Sequence, residues 1–567
     1  MRETHSAPYV VRLANPGKHL YPPPLTPITP AEFHRKLSTE PCPNGEKRAQ
    51  LYLHLPFCET ICAFCPIHKY QLTDASPVHE YIQALKTELR ALSSAPLIQQ
   101  LRFESIYFGG GTPSVISDHH LAELMEFIRV SFNLDRPQVT FEGHIGSLTR
   151  EKLRSVRAMG FNRVSAGIQT FDPDLRRLLN LTPTEDDIRR CLETAREEGF
   201  NDFNIDLMFN LPGQTEIKWE RDLRKAIALA PTGIDAYETV LANCTPLYLQ
   251  VRRGLLKAEE DPVQLAANYA LAEQILGVHG YRQKNLFVWN REGYENRLLD
   301  CQSRLRDRTL HIIGAGLTAY SVINGEPFIN ESALNPYIKR VRETQSGIKW
   351  YHHCTPAEEM ERFMILSVEE FRFDSREFLF RFGLDMNEVF SSQIQSLLHR
   401  GLISPEEEGF VFTPLGRSWA STLTIEFFGS AVLEEILEAR LNHSYFGGMT
   451  QEEEFDLPIF AAWHPQTLFR NTNSLKLGMR YLAYLRQQNS SWLREFSIRF
   501  VRALRRYGLP ACRWYFSTLL REIRKGRYDQ RLVLKPLATA PSDLVRLSDG
   551  PVFPGTSAGA NSRPQSN

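Results

Sequence analysis

Three cysteines form the segment of this chain best suited to chemistry. Cys58, Cys62 and Cys65 follow the spacing Cys-x3-Cys-x2-Cys. Three thiolates can ligate only three irons of a four-iron cluster and leave the fourth iron open to a ligand, whereas clusters held by protein alone take four cysteines. Structural zinc sites use cysteine pairs or a Cys/His set, and His68, three residues after Cys65, could complete such a site. The spacing therefore predicts a reactive iron–sulfur cluster and leaves zinc as an alternative.

A glycine-rich segment favours the cluster. The apolar stretch from Phe103 to Phe108 predicts a strand, which runs directly into Gly109-Gly-Gly-Thr-Pro-Ser114. Consecutive glycines let the backbone approach a ligand closely, although most glycine-rich segments are only turns. The cysteines and the glycines both follow predicted strands, and together they indicate a ligand site beside the cluster.

With these motifs, the chain resembles the radical S-adenosylmethionine (radical SAM) superfamily, and specifically the group of oxygen-independent coproporphyrinogen III oxidase and its relatives. The resemblance extends over residues of about 46 to 420, and the matching segments keep the family's order. These segments are Leu51–Cys58, Phe108–Ser114, Phe141–Gly143, Gly160–Asp172, Asn204–Gln214 and Ile313–Gly316.

The resemblance implies a reaction and its participants. In this family a [4Fe–4S] cluster binds SAM at its open iron, and one electron splits SAM into methionine and a 5′-deoxyadenosyl radical that abstracts hydrogen from the substrate. A small organic or tetrapyrrole substrate and a reducing donor such as flavodoxin or ferredoxin are implied as well. We expect an oxidase-like oxidoreductase; the alternatives are a C-methyltransferase that uses a second SAM and a non-enzymatic heme-binding chaperone.

The resemblance also implies roles for individual residues. Cys58, Cys62 and Cys65 would ligate the cluster. The positions that match SAM-contacting residues are Tyr52, Phe64, Gly110, Gly111, Thr112, Glu142, Gln169, Asp206, Val240 and Tyr320. Among them, Gln169 and Asp206 match positions that hold a second SAM in the oxidase. The alternatives are a buried turn amide for Gln169 and a helix N-cap for Asp206. No residue is assigned as catalytic. Further candidates in the loops are His68, Lys69, Tyr70 and His144.

Two positions depart from the family pattern. The family has an arginine twelve residues after the glutamine, suited to a carboxylate, and this chain has Leu181 there. Nearby arginines that could substitute are Arg176, Arg177 and Arg189. The oxidase also carries an arginine- and tyrosine-rich segment near its substrate, which Lys18-His-Leu-Tyr-Pro22 resembles only faintly. Whether one or two SAM molecules bind is therefore left open by the sequence.

Short apolar strands alternate with amphipathic helices after residue 50. The predicted strands are 51–55, 105–108, 139–142, 163–168, 203–209 and 234–240, and the predicted helices are 78–92, 121–132, 151–159, 188–197, 219–228 and 266–276. Six such units predict an α/β fold, a partial (β/α)6 barrel of parallel strands. Reactive groups gather at the carboxyl ends of the strands in barrels, where the motifs fall. A mostly helical, winged-helix-like domain with a hairpin between Gly401 and Gly416 is expected to follow.

We expect five regions along the chain. They are a proline-rich lead-in over 1–48, the radical SAM barrel over 49–290, the family's substrate-covering domain over 291–420, a helical extension over 421–535 and a disordered tail over 536–567. Within the extension, Phe496–Arg527 is unusually basic. A solvated helix face is the simplest explanation, and an acidic partner, an anionic substrate or a membrane surface are alternatives.

Composition narrows the class of protein. The 567 residues carry 66 basic and 66 acidic side chains, so no overall charge attracts nucleic acid. Glu406–Glu408 in the predicted wing also argue against DNA binding. Nine cysteines without a paired pattern favour a reducing compartment. The chain starts without an apolar signal segment and has no run of about 18 apolar residues, so we expect a cytoplasmic protein without a membrane span.

Overall fold

The structure is a computed structural model that describes residues 8–9, 12, 21–22, 26–39, 48–73, 76–241, 245–259, 261–294, 297 and 310–429. The predicted extension beyond residue 429, with its basic segment Phe496–Arg527, and the predicted tail over 536–567 lie outside the described residues.

Eighteen strands form three sheets. In chain order they are β1 (Thr26–Pro27), β2 (Arg48–Leu55), β3 (Phe57–Cys58), β4 (Tyr70–Gln71), β5 (Arg102–Gly110), β6 (Leu134–Gly143), β7 (Arg163–Gln169), β8 (Asp202–Phe209), β9 (Gly233–Glu238), β10 (Tyr281–Gln283), β11 (Val288–Arg291), β12 (Leu310–Ala315), β13 (Tyr320–Ile323), β14 (Glu326–Asn330), β15 (Ile348–Tyr351), β16 (Arg372–Asp374), β17 (Ile403–Glu406) and β18 (Gly409–Phe412). These counts cover the described residues alone.

Helices cover the strands along the same part of the chain. They are α1 (Pro30–Thr39), α2 (Ser76–Ser93), α3 (Pro96–Gln100), α4 (Asp118–Ser131), α5 (Arg150–Ala158), α6 (Pro173–Leu178), α7 (Glu185–Glu197), α8 (Glu216–Ala228), α9 (Pro246–Arg252), α10 (Pro262–Val278), α11 (Leu334–Thr344), α12 (Pro356–Ser367), α13 (Ser375–Phe382), α14 (Met386–Val389), α15 (Ser391–His399) and α16 (Pro414–Leu423).

The predicted α/β core is confirmed. Strands β2, β5, β6, β7, β8 and β9 lie side by side in parallel, and a helix follows each of them. Polar residues interrupt the apolar residues of these strands, as Gln50 and His54 do in β2 and Asn204 and Asp206 in β8. Within the described residues the sheet does not close, because β1 and β10 are its two edge strands. The core is therefore a partial barrel.

The same sheet continues beyond residue 290. Strand β12 pairs in parallel with β2, and β13, β14, β15 and β1 extend the sheet in antiparallel order. On the other side, β11 pairs antiparallel with β9, and β10 pairs with β11. Thirteen strands thus form one sheet, and the residues after 310 contribute to it. The domain boundary near residue 290 stays a prediction.

A small helical unit follows the sheet. Strands β16, β18 and β17 form a separate antiparallel sheet, and β17 and β18 are the predicted hairpin. Helices α12 to α16 surround it. Thr355 begins α12 with a capping box, in which its side chain and that of Glu358 satisfy each other's backbone N–H groups. These elements confirm the mostly helical, winged-helix-like end of the described chain.

One residue of the lead-in connects this unit to the barrel. The buried guanidinium of Arg12 donates a 2.8 Å hydrogen bond to Glu238, at the carboxyl end of β9. It also donates to the carbonyl of Ser418 in α16. The lead-in therefore contacts both the carboxyl end of β9 and the small helical unit.

Among the described helices, none combines the length and the apolar character that crossing a membrane would require.

Candidate functional site

A cavity of about 410 Å³ opens at the carboxyl ends of the parallel strands. It is lined by the loops that follow β2, β5, β6 and β7. Of the thirteen residues that the sequence assigns to the metal and to SAM, the nine that line it are Cys58, Cys62, Phe64, Cys65, Gly110, Gly111, Thr112, Glu142 and Gln169. Four strands thus bring the cysteine and glycine motifs to one place.

The loop that carries the three cysteines, here called the cysteine loop, is held at its base and in its middle. Strand β3, which contains Cys58, pairs with β4 at the exit of the loop. The N–H of Leu72 donates to the carbonyl of Cys58 at 2.8 Å. At the far side of the loop, the N–H of Ala63 donates to the carbonyl of Leu179 at 3.0 Å. These backbone hydrogen bonds fix the loop in place by its main chain.

The glycine turn, residues 109–114, is hydrogen-bonded to the end of β2 and to β3. The N–H of Gly111 donates to Leu55 at 2.8 Å, and the N–H of Thr112 donates to Phe57 at 2.7 Å. A Cβ atom on Gly111 would lie 2.7 Å from three backbone atoms of these neighbours. Only glycine therefore fits at position 111. The hydroxyl of Thr112 lies 3.3 Å from the Sγ atom of Cys58.

Glu142 connects the end of β6 to the glycine turn. Its Oε2 atom accepts a hydrogen bond from the N–H of Gly110 at 3.1 Å, and its Oε1 atom accepts one from the hydroxyl of Tyr107. Burial nevertheless raises the pKa of Glu142. A buried carboxyl group of this kind would be stabilised in its charged form by a cationic ligand.

The three thiols suit a metal cluster better than a single zinc ion. Burial raises the pKa of Cys58 to about 11 and that of Cys62 to about 12, and it raises the pKa of Cys65. Only a bound metal would keep all three as thiolates at neutral pH. Because Zn–S bonds are about 2.3 Å long, sulfurs on one zinc lie about 3.8 Å apart. Among the described residues, only one group of three His, Cys, Asp or Glu ligand atoms lies within 4.8 Å of one another, and it is on α4. The three sulfurs are therefore not grouped closely enough for a single zinc ion.

The remaining candidate ligands do not complete a zinc site. The Nε2 atom of His68 lies 3.2 Å from the hydroxyl of Tyr70, and His68 does not line the cavity. The other described cysteines, Cys191 and Cys354, lie near the carbonyls of Leu148 and Gly325. Within the described chain, three cysteines alone face the cavity. This donor set fits a cluster with one open metal position.

Behind the cavity, the barrel interior is rich in carboxyl groups. Asp206 lies inside β8, three residues before its end, so it is not a helix N-cap. Its register partner on β9 is Asp235. Burial, then Asp235, then Glu142 raise the pKa of Asp206 well above its ordinary value, and burial raises that of Asp235 to about 6. Arg163 is the nearby cation and lies 3.6 Å from Asp202. This interior favours a ligand that carries positive charge.

Four predicted SAM contacts do not line the cavity. Tyr52 points to the barrel interior, where its hydroxyl lies 3.0 Å from the Nδ1 atom of His54. Asp206 lies deeper in the same interior. Val240 comes two residues after β9 ends. Tyr320 packs against the apolar cluster of Leu310, Ile312, Val322 and Leu366. The roles of all ten SAM positions stay predictions.

Sequence reasoning missed two residues that support the site. His54 lies beneath Gly110, since a Cβ atom there would meet the His54 ring at 2.6 Å. The Nε2 atom of His54 lies 3.0 Å from the carbonyl of His68. A carbonyl only accepts, so Nε2 carries the proton and Nδ1 accepts from Tyr52. The other missed residue is Tyr107. Alternation along β2 and β5 toward the barrel interior was the available signal for both.

Part of the cavity wall is apolar, where Phe64 and Leu181 line it. Gln169 ends β7 with a φ of 67°, and Leu181 belongs to an apolar cluster that also contains Leu179, Met208 and Tyr248. The guanidinium of Arg176 donates to the carbonyls of Ile168, Thr170 and Pro183. The two other arginines are exposed and pair within their own helices, Arg177 with Asp174 and Arg189 with Asp186.

Comparison with known proteins agrees with this arrangement. The profile of the Radical SAM superfamily matches residues 52–226. The heme chaperone HemW of Bacillus subtilis is 28% identical over 381 residues, which cover 67% of this chain and 98% of that protein. The oxygen-independent coproporphyrinogen III oxidase of Salmonella typhimurium is 28% identical over 387 residues, which cover 66% of this chain and 83% of that protein.

A solved structure shares the fold. The structure of coproporphyrinogen III oxidase (HemN) from Escherichia coli superposes with a TM-score of 0.63 at 24% identity, over 72% of this chain and 96% of that one. The fold, the cysteine and glycine loops and the sequence relatives lead to the same conclusion. The chain belongs to the radical SAM superfamily, in the family that contains oxygen-independent coproporphyrinogen III oxidases and heme chaperones.

Proposed function

We propose that this chain binds a [4Fe–4S] cluster and SAM in the cavity and carries out radical chemistry on a tetrapyrrole-related substrate as an oxidase-like oxidoreductase. Membership of the superfamily implies an iron–sulfur cluster and SAM, the [4Fe–4S] type being typical. The observation that carries the proposal is that the cavity is lined by three thiols, the glycine turn and a carboxylate.

When bound, these groups supply one-electron cleavage of SAM and a radical that abstracts hydrogen from the substrate. The residues of the chain bind and orient them. Cys58, Cys62 and Cys65 would ligate three irons, and Thr112 would donate a hydrogen bond to the sulfur of Cys58. Gly110 and Gly111 place bare backbone at the cavity wall, so a ligand can approach it closely.

The charge of the site supports SAM as the ligand. SAM carries an ammonium and a sulfonium group against one carboxylate. Glu142 lines the cavity, and Asp206 and Asp235 lie behind it, where burial raises the pKa of each. A cationic ligand would offset that burial by stabilising the carboxylates. We infer that the interior carboxyl groups favour SAM electrostatically.

The apolar wall supports one SAM per chain. A second SAM carboxylate would lack its arginine fork, because Leu181 occupies that position in an apolar cluster. Arg176 cannot take over, since backbone carbonyls already hold its guanidinium. The apolar side chains of Phe64 and Leu181 in the cavity lining suit a flat, largely apolar molecule such as a tetrapyrrole. This disfavours a C-methyltransferase that uses a second SAM.

Heme binding by a chaperone is the second candidate function. The share of each relative that aligns with this chain favours this candidate. The alignment covers 98% of the Bacillus subtilis heme chaperone and 83% of the Salmonella typhimurium oxidase. Both candidates place a tetrapyrrole at the same apolar wall. For either, we propose a cytoplasmic protein that receives electrons from a donor such as flavodoxin or ferredoxin.

The test is anaerobic incubation of the reconstituted, reduced protein with SAM, with and without coproporphyrinogen III. We expect 5′-deoxyadenosine, and carbon dioxide when the porphyrinogen is present. If neither product forms under any reducing condition, the oxidase proposal is wrong. Heme titration followed in the visible spectrum then tests the chaperone: tight heme binding without 5′-deoxyadenosine would favour it. The matched control is Cys62→Ala, which should not hold the cluster.

A further inference from the structure

A second group of metal-ligating side chains lies on the outside of the barrel. His119, His120 and Glu123 stand in the first two turns of α4, and one ligand atom of each lies within 4.8 Å of those of the others. The Nδ1 atom of His120 is 3.5 Å from the Oε2 atom of Glu123, and the Nε2 atom of His119 is 3.9 Å from Oε1.

A fourth imidazole or carboxylate would complete such a group, and α2 supplies one. The rings of His79 and His120 have their centroids 5.4 Å apart. His79 and His119 are exposed, and the side chain of His120 is 14% exposed. His79 of α2 thus lies beside His120 of the α4 group, at a solvent-accessible position.

We propose that His79, His119, His120 and Glu123 form a binding site for a divalent transition-metal ion such as Zn²⁺. Imidazole nitrogens with one carboxylate suit zinc, nickel or cobalt ions rather than magnesium or calcium. In a tetrahedral zinc site, with bonds of about 2.0 to 2.1 Å, neighbouring ligand atoms lie about 3.3 Å apart. The separations of 3.5 and 3.9 Å approach this value, and the exposed side chains of His79 and His119 would have to rotate to bind the same ion.

Glu123 already pairs with a cationic side chain. The Nζ atom of Lys86, on α2, lies 3.4 Å from the Oε1 atom of Glu123. Lys86 would therefore compete with the metal ion for this oxygen.

A metal ion at this site would connect α2 and α4. Helix α2 follows the cysteine loop, and α4 follows the glycine turn. An ion shared by His79 and the α4 residues would hold these two helices together on the outer side of the barrel. The site would stabilise the scaffold of the reaction centre without contributing a ligand to it.

The inference is independent of the proposed function, and its test uses Zn²⁺ alone. Cluster-loaded protein is titrated with Zn²⁺ by anaerobic calorimetry while the visible absorbance of the cluster reports that the cysteines remain occupied. We expect the wild type to bind one more Zn²⁺ than the double variant His119→Ala/His120→Ala. A control substitution of another exposed histidine, His399→Ala, should leave the stoichiometry unchanged.

Two further variants test the geometry. Glu123→Gln keeps the shape of the side chain and should weaken zinc binding at least about tenfold, because the neutral amide is a poor ligand. Lys86→Met removes the competing cation and should strengthen it. Equal zinc stoichiometry in the wild type and in the double histidine variant would overturn the proposal, as would unchanged affinity in Glu123→Gln.

Discussion

The hydroxyl of Thr112, at the end of the glycine turn, lies 3.3 Å from the Sγ atom of Cys58 and can donate a hydrogen bond to it. Hydrogen bonds to cluster-ligating sulfurs stabilise the reduced, more negative state and so raise the reduction potential. We therefore predict that Thr112→Val lowers the potential of the cluster by about 40 mV, which corresponds to about 1 kcal/mol for one electron. A redox titration followed by electron paramagnetic resonance measures this shift. Thr112→Ser keeps the hydroxyl and should stay near the wild-type value; equal potentials for Val and Ser would contradict the hydrogen bond.

The second prediction concerns the close approach at Gly111. A Cβ atom there would lie 2.7 Å from the backbone of Leu55 and Phe57, which cannot yield as a flexible side chain could. Gly111→Ala should therefore destabilise the protein by about 1 to 3 kcal/mol and reduce its cluster content after reconstitution. Urea unfolding and iron analysis measure the two effects.

A matched control for this substitution is available in α10. Gly277 has nothing within 4 Å of its would-be Cβ atom. Gly277→Ala should leave the cluster intact and stabilise the helix by up to about 1 kcal/mol. If both alanine variants unfold at the same urea concentration as the wild type, the close packing of the glycine turn is wrong.

Leu181 gives a prediction about the number of SAM molecules. We expect cluster-loaded wild type to bind one SAM per chain in equilibrium dialysis. Leu181→Arg adds a fork for a second carboxylate, and charge-assisted hydrogen bonds of about 1.5 to 3 kcal/mol should strengthen binding of a second SAM at least about tenfold. Leu181→Met preserves the apolar wall and should behave as the wild type does. Two SAM molecules on the wild type would contradict the single-SAM proposal.

Buried histidines predict how stability depends on pH. Burial lowers the pKa of His311, on β12, to about 4, whereas an unfolded histidine titrates near its ordinary value of 6.5. Between these values the unfolded chain binds more protons than the folded one, so stability is lost as the pH falls from about 6.5 to about 4. The slope from one such histidine is at most about 1.4 kcal/mol per pH unit.

The variant that isolates this effect is His311→Asn. The Nδ1 atom of His311 lies 3.4 Å from the N–H of Asn324, and the amide oxygen of asparagine can accept the same hydrogen bond. The variant should unfold in urea with a shallower decline of stability between pH 6.5 and 4 than the wild type. Parallel curves for the two proteins would show that His311 does not titrate in this range.

The order of the strands and helices and the positions of the cysteine loop and the glycine turn could be predicted from the sequence, because both depend on local patterns. Apolar runs separated by amphipathic stretches predict the six parallel strands, and glycines with cysteines at strand ends predict the cavity. The predicted strand 203–209 contains Asp206, but the sequence did not predict that Asp206 would face Asp235 on the neighbouring strand. That relation depends on the register between β8 and β9, which no local pattern contains.

The strands that extend the sheet beyond residue 290 were harder to predict from the sequence. Strands β12 to β15 have four to six residues each, and their short apolar runs resemble those of a helical domain. The pairing of β12 with β2 is a long-range contact, set by tertiary packing rather than by propensity. The supporting role of His54 was missed for a similar reason, since its partner His68 lies beyond the whole cysteine loop.

The two backbone hydrogen bonds that join Gly111 to Leu55 and Thr112 to Phe57 make the cysteine loop and the glycine turn one unit. Neither loop would keep its conformation if it were moved alone into another scaffold, because each is hydrogen-bonded to the main chain next to the other. A designer who wished to build this chemistry into a new protein would have to transfer β2, β5 and both loops together. The smallest portable part of the site is therefore a pair of adjacent parallel strands with their loops.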